Sequence, residues 1–409
     1  MKRVVVTGFG ALSPLGHDWA SVRAQLKSGR NAVRTMDEWD VYEGLNTRLG
    51  APAQPFELPA HYNRKTTRSM GRVAVMSTRA SELALLDAGL LDDPLVRSGH
   101  LGISYGSSAG TPAAVGDFGR MIKEKTTEGI TASTYIKMMS HTAAVNMGVF
   151  FGITGRILTT SSACTSGSQG IGYAFETIRT GRQIAMLAGG AEELDATEAA
   201  VFDTLFATSV RNDRPELTPR PFDAGRDGLV LGEGACTFVL EELEHALARG
   251  ARIHAEILGY GTNSDGSHVT QPQPATMAKA MRLALEDAAL PPEAISYVNA
   301  HGTATDHGDI AESAATLEVL GARAPISSLK SYMGHTLGAC GALEAWMSIE
   351  MMREGWFAPT LNLQQPDPRC APLDYITGDG RAIEASVVMS NNFAFGGINT
   401  SLIFRRWPD

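Results

Sequence analysis

The sequence predicts an α/β protein made of two similar βα halves, residues 1–250 and 251–409, stacked around a shared site. Three observations predict it. Short β-branched strands alternate with amphipathic helices. That alternation restarts near residue 255 with a similar order of elements. No low-complexity linker separates the two runs, so they read as one compact unit.

The elements follow in order. In the first half Arg3–Thr7 is a strand, Trp19–Ser28 a helix and Leu101–Tyr105 a strand ending in the turn GSSAG. Arg156–Thr160 is a strand, Thr165–Thr180 a helix, and Ile184–Ala188 an apolar strand followed by Gly189 and Gly190. Asn212–Gly228, rich in Pro, Asp and Arg, is a long surface loop. In the second half Ala255–Gly261, Tyr297–Ala300 and Ile326–Leu329 are strands. They alternate with helices at Thr276–Ala288, Asp309–Leu320 and Gly338–Met352, and Val387–Ser390 and Thr400–Arg405 close the chain as strands.

Composition bounds the function. With 44% hydrophobic and 19% charged residues the chain can bury a large core, and global disorder is excluded. A net charge of −9 argues against bulk nucleic-acid binding, which needs a basic surface. No apolar run is long enough to span a bilayer, and MKRVVVTGFG reads as a first strand rather than a signal peptide, so a cytoplasmic location is expected. Cys164, Cys236, Cys340 and Cys370 lie far apart, which supports neither a disulfide framework nor a zinc knuckle. The 43 glycines in 409 residues exceed the usual ~7% and point to many tight turns and close backbone approaches.

Four segments can carry chemistry. In TTSSACTSGSQGIG (159–172) a strand runs through small residues into Cys164 and a helix, whose N-terminal partial charge favours a thiolate. A buried, inert cysteine is the alternative. In VNAHGTATDHGD (298–309) His301 follows an apolar strand at the end where α/β sheets place ligand groups, and Thr303 and Thr305 can orient a polar substrate. A turn histidine is the alternative there. In LKSYMGHTLGACGALEA (329–345) Lys330 and His335 flank a turn before a small-residue helix. In SNNFAFGGINTSLIF (390–404) Gly396 and Gly397 mark a turn whose backbone N–H groups can face a ligand; a plain hairpin is the alternative. Cys164, His301 and His335 are spaced unlike a compact zinc site, so no metal is expected. GFGALSPLG lacks the dinucleotide fingerprint, because Ser13 stands where the third glycine belongs.

Together these segments resemble the β-ketoacyl-acyl-carrier-protein synthases I and II, the condensing enzymes of fatty acid and polyketide synthesis. The resemblance runs from TGFGALSPLG through SSACTSG, LAGGAEEL, RNDRPE, RPFDAGRDGLVLGEGA, NAHGTATDHGD and KSYMGHTLGACGALEA to FGGIN. It implies a thiolase-like fold, a five-layered α-β-α-β-α unit, with the nucleophile in the first half and the catalytic histidines in the second. It implies an acyltransferase in which Cys164 accepts the acyl group, and His301 and His335 promote decarboxylation of a malonyl thioester. Lys330 and Glu344 form an accessory pair. The backbone N–H groups of Cys164 and Phe395 form an oxyanion hole, Phe395 also gates, and Phe202, Thr303 and Thr305 are accessory. No cofactor is implied, since phosphopantetheine arrives on the acyl carrier protein. That acidic partner implies local basic docking, with Arg64, Lys65, Arg68 and Arg211 as candidates. A dimer is implied, of two copies or with a related subunit.

Departures refine the resemblance. Asp306 and His307 replace smaller or rigid residues of the histidine loop, AFGGIN carries Ala394 and Ile398, and the lysine segment carries Tyr332, Thr336 and Cys340. This combination is most similar to synthases of aryl-polyene pigment clusters. A degradative thiolase needs a second catalytic cysteine, for which Cys340 and Cys370 are the candidates, though neither lies in a thiolase-type motif. A non-catalytic chain-length partner lacks the nucleophile that Cys164 supplies here.

Overall fold

A computed structural model describes residues 1–408. Ten strands form its main sheet. They are β1 (Val4–Leu12), β2 (Leu101–Gly106), β3 (Ile157–Thr159), β4 (Ala185–Glu192), β5 (Gly234–Glu242), β6 (Ala255–Ser264), β7 (Tyr297–Asn299), β8 (Ile326–Ser327), β9 (Val387–Phe393) and β10 (Ile398–Arg406). Their order across the sheet is β8-β7-β9-β10-β6-β1-β5-β4-β2-β3. Each half therefore runs third, second, fourth, fifth, first in its own chain order. The first two pairings of each half are parallel and the last two antiparallel. The halves meet where β1 pairs antiparallel with β6, Val4 opposite Ile257 and Val6 opposite Ala255.

The repetition extends to atoms. Helix α1 (Arg72–Asp87) covers β1 and β5, and helix α3 (Pro274–Ala288) covers β6 and β10. A Cβ on Gly10 would sit 1.9 Å from the Ala80 carbonyl oxygen, and one on Gly261 2.1 Å from that of Ala280. Only glycine lets helix and strand approach so closely. Phe9 N–H donates to the Asp87 carboxylate at 3.0 Å and Tyr260 N–H to that of Asp287 at 3.1 Å.

Between the half-sheets lie α2 (Ser166–Arg179) and α5 (Cys340–Glu354), both touching strands of both halves. Almost all of α5 is buried, as a helix with protein on every side must be. With α1 outside one half-sheet, and α3 and α4 (Asp306–Leu320) outside the other, the layers run α-β-α-β-α as expected. The pattern reading passed over α1, β5 and the outer helices Pro112–Glu124, Ala132–Met138, Thr142–Phe151 and Ala196–Asp203. Asn212–Gly228 is a long loop carrying one 3₁₀ turn, Pro215–Leu217.

Topology positions the site. The third strand of each half leads into a central helix: β3 delivers Cys164 ahead of α2, and β8 delivers Lys330 and His335 ahead of α5. The loop after β7 carries His301, and the β9–β10 turn carries Phe395.

Candidate active site

Cys164 occupies a 3₁₀ turn, Ala163–Thr165, and Ala163 takes φ +50°. That left-handed conformation costs an L-residue about 1–2 kcal/mol and sharpens the bend that sets Cys164 at the start of α2. The backbone N–H groups of Cys164 and Phe395 both bond toward its sulfur. The adjacent glycines are not the donors, because Gly396 N–H is spent on Val269 O and Gly397 N–H on Ala394 O. Their positive φ values, +89° and +73°, make the turn that aims Phe395. The Phe395 ring packs on Phe202 at 5.0 Å between centroids.

Both histidines are buried and neutral. Burial, reinforced by the Lys330 charge, holds each well below the ordinary histidine range, and for His301 the neighbouring His335 adds to it. Leu337 N–H donates to His335 Nδ1 at 3.2 Å, which leaves the ring proton on Nε2, 3.0 Å from Cys164 Sγ. Lys330 Nζ donates to His301 Nδ1 at 3.2 Å and Asn392 Nδ2 lies 3.4 Å from the same atom, so His301 also carries its proton on Nε2. The rings stand 5.1 Å apart and nearly perpendicular. Cys164, His301 and His335 bring ligand-type atoms within 4.8 Å of one another. Yet the locked tautomers present hydrogens rather than nitrogen lone pairs, which suits a developing oxyanion and not a metal ion.

Lys330 is 1% exposed and ion-pairs with Glu344 at 2.5 Å. Burial alone would lower its pKa; the paired Glu344 carboxylate opposes that and keeps it charged. Glu344 further accepts from Asn392 at 2.8 Å and from Asn299 at 3.4 Å. Glu312 receives the backbone N–H groups of His301 and Gly302, both at 2.7 Å, and fixes the histidine loop. Glu192 accepts from both Ser107 and Ser108 and from Gly338 N–H, tying the turn before α5 to β4. Asn299, Asn392, Glu192 and Glu312 went unrecognised as site residues in the sequence. The available signal was a polar pair, Asn391–Asn392, inside the apolar run of β9.

The thiolate expected from the helix N-terminus does not form in the resting site. Burial pushes the Cys164 thiol up to about 11, against the opposing pull of Lys330 and the two N–H groups. Alkylation of Cys164 by iodoacetamide is therefore expected to accelerate about tenfold per pH unit between pH 7 and 9. A rate that is flat over this range would mean a preformed thiolate.

The remaining candidates divide. A cleft of about 570 Å³ is lined by Cys164, His301, His335, Phe202, Phe395, Thr303 and Thr305, and the two threonine hydroxyls bond each other at 2.8 Å. Arg64, Lys65 and Arg68 lie elsewhere, on and beside the short helix Arg64–Thr67; Lys65 and Arg68 line a separate groove with Val149 and Phe150. Arg211 is half-buried at 3.2 Å from Asp227, a residue of the cleft wall. Cys340 is buried, with its thiol donating to the Cys164 carbonyl, and Cys370 does not line the cleft.

Two family models match the chain in succession: Beta-ketoacyl synthase, N-terminal domain over residues 1–246, and Beta-ketoacyl synthase, C-terminal domain over residues 254–364. The chain belongs to the β-ketoacyl synthase family. This synthase is 36% identical to 3-oxoacyl-[acyl-carrier-protein] synthase 2 of Synechocystis sp., over 99% of its own length and 98% of the relative's. The crystal structure of a β-ketoacyl synthase from Burkholderia phymatum STM815 covers both chains fully at 63% identity and TM-score 0.99. A structure of the ishigamide ketosynthase/chain length factor also covers both chains fully, at 32% identity and TM-score 0.90. No helix among the described residues is long and apolar enough to cross a membrane.

Proposed function

We propose that the chain is a 3-oxoacyl-[acyl-carrier-protein] synthase, joining an enzyme-bound acyl group to malonyl carried on acyl carrier protein with loss of CO2. The observation that carries this reading is the pair of histidines locked as Nε2–H donors beside a cysteine that two backbone N–H groups also reach. In the first step the Cys164 sulfur attacks an acyl thioester, the Cys164 and Phe395 N–H groups hold the tetrahedral oxyanion, and the thiol proton leaves with the carrier's thiol. In the second, malonyl loses CO2 and the His301 and His335 N–H groups hold the enolate oxygen. Its carbon attacks the acyl carbonyl, the β-ketoacyl product stays on the carrier, and Cys164 leaves and regains a proton.

The finer reading is elongation of an aryl polyene in the cytoplasm. It is supported by the motif departures at Asp306, His307, Ala394 and Ile398, and by likeness to a ketosynthase/chain length factor structure. Carrier docking at Arg64, Lys65 and Arg68, with Arg211 beside the cleft, belongs to the same proposal. So does pairing with a second copy or a related subunit along the exposed edge strand β3, where Ile157 is 39% exposed.

Intact-protein mass spectrometry tests the reading. After incubation with saturated and polyene acyl carrier proteins in parallel, the wild type should gain the acyl mass and Cys164→Ala should not. With malonyl carrier added, the β-ketoacyl carrier should appear. A wild type that neither acylates nor decarboxylates malonyl contradicts the proposal.

A further inference from the structure

Cys340 is a thiol the proposed reaction does not use. It is fully buried and does not line the cleft, which takes it out of contact with anything bound there. Its hydrogen bonds nevertheless run into the site. The thiol donates to the Cys164 carbonyl oxygen at 3.2 Å, and the sulfur receives the Asn392 amide at 3.6 Å. A thiol is a weak donor and a weak acceptor, and Cys340 uses both capacities. Asn392 Nδ2 is itself anchored on Glu344 at 2.8 Å and lies 3.4 Å from His301 Nδ1. Gly341 makes room for this amide, since a Cβ there would sit 2.8 Å from the Asn392 side-chain oxygen.

The repetition of the two halves shows what is unusual about the thiol. The 3₁₀ turn Ala163–Thr165 opens on Ala163 at φ +50° and holds Cys164. Its counterpart is the turn Leu337–Ala339, which opens on Leu337 at φ +45°. Ser166 follows the first turn and begins α2; Cys340 follows the second and begins α5. The Ser166 hydroxyl donates back into its own turn, to Ala163 O at 2.8 Å. The Cys340 thiol instead crosses to the other half and bonds the turn that carries the nucleophile. Burial pushes this thiol far above its ordinary range, so it stays protonated and able to donate.

We propose that Cys340 is a positioning residue of the synthase: braced by Asn392, its thiol fixes the Cys164 carbonyl and so holds the backbone torsion that aims the Cys164 sulfur and N–H at the acyl thioester. The anchored carbonyl belongs to the peptide after Cys164, and the left-handed Ala163 sets the peptide before it, so the nucleophile is restrained from both sides. Oxyanion donors and nucleophiles act at full rate only when held in their productive geometry. The inference rests on the ketosynthase reading above, because it needs an acyl group transferred to Cys164.

The test measures acylation of Cys164 from an acyl carrier protein by wild type, Cys340→Ala and Cys340→Ser. Two quantities are read for each: the rate at saturating carrier and the carrier concentration that gives half of it. Rates are normalised to the chain that acylates at completion in intact-protein mass spectra, so misfolded chain does not count. Cys340→Ala is expected to lower the saturating rate about three- to tenfold, the worth of one hydrogen bond, with the half-saturating concentration unchanged. Cys340→Ser, whose hydroxyl can donate to the same carbonyl, is expected to recover most of the rate. A thiol that only fills space would gain nothing from serine, so a Cys340→Ser no faster than Cys340→Ala overturns the proposal. A wild-type rate in Cys340→Ala, or an effect confined to the half-saturating concentration, overturns it as well. Each of those results leaves the ketosynthase reading standing; a wild type that never acylates overturns that reading, and this proposal with it.

Discussion

His301→Ala is expected to cut condensation by on the order of 10²–10³-fold while Cys164 still loads with acyl groups. That is the usual effect of deleting one preorganised oxyanion donor. The separation follows from the geometry. His335, not His301, is the histidine placed 3.0 Å from the sulfur, and the Cys164 and Phe395 N–H groups that serve loading are untouched. Lys330 loses an acceptor but keeps Glu344, so the variant leaves no unpaired buried charge. His335→Ala should impair both steps, since its Nε2–H also faces the thiol. Single-turnover loading measured beside steady-state condensation checks this. Equal losses in both steps for His301→Ala would refute a donor role confined to the malonyl step.

Lys330→Met is expected to lower stability by about 3–5 kcal/mol, because it leaves the Glu344 carboxylate buried without its ion partner. Activity should fall as well, since the ammonium also fixes the His301 tautomer through Nδ1. The two effects separate in the double variant Lys330→Met/Glu344→Leu. Removing both charges should restore much of the stability, as replacing a whole buried pair with apolar groups commonly does, without restoring condensation. Denaturant midpoints and condensation rates on the three proteins decide it. A double variant with wild-type activity would show that Lys330 only holds the fold.

Much of this was legible in the sequence, for physical reasons. Strands that run into loops of small residues keep their order through folding, so Cys164, His301, Lys330, His335 and Phe395 could each be placed at an element end. What escaped notice was set by burial. Helix α1 hides Ser77, Thr78, Ser81 and Glu82 on its packed side, which blurs the 3.6-residue apolar period. Strand β5 is covered on both faces by small and apolar residues, so it shows no alternation. The thiolate expectation failed for a related reason: a helix terminus is a local feature of sequence, whereas the desolvation that keeps Cys164 protonated comes from residues scattered along the chain. The duplication was hidden because it resides in strand order and in glycine pairs rather than in identity. Gly8 and Gly10 answer to Gly259 and Gly261 across different surrounding sequence.

The central claim is a division of labour, with Cys164 taking the acyl group and the paired Nε2–H donors stabilising the enolate. CO2 release from malonyl carrier protein by Cys164→Ala, set against the same assay on Cys164→Ala/His301→Ala, tests it most directly. The predicted result is continued decarboxylation by the single variant, which cannot load an acyl group, and its loss by about 10²-fold or more in the double variant. Equal decarboxylation by the two proteins would contradict the account.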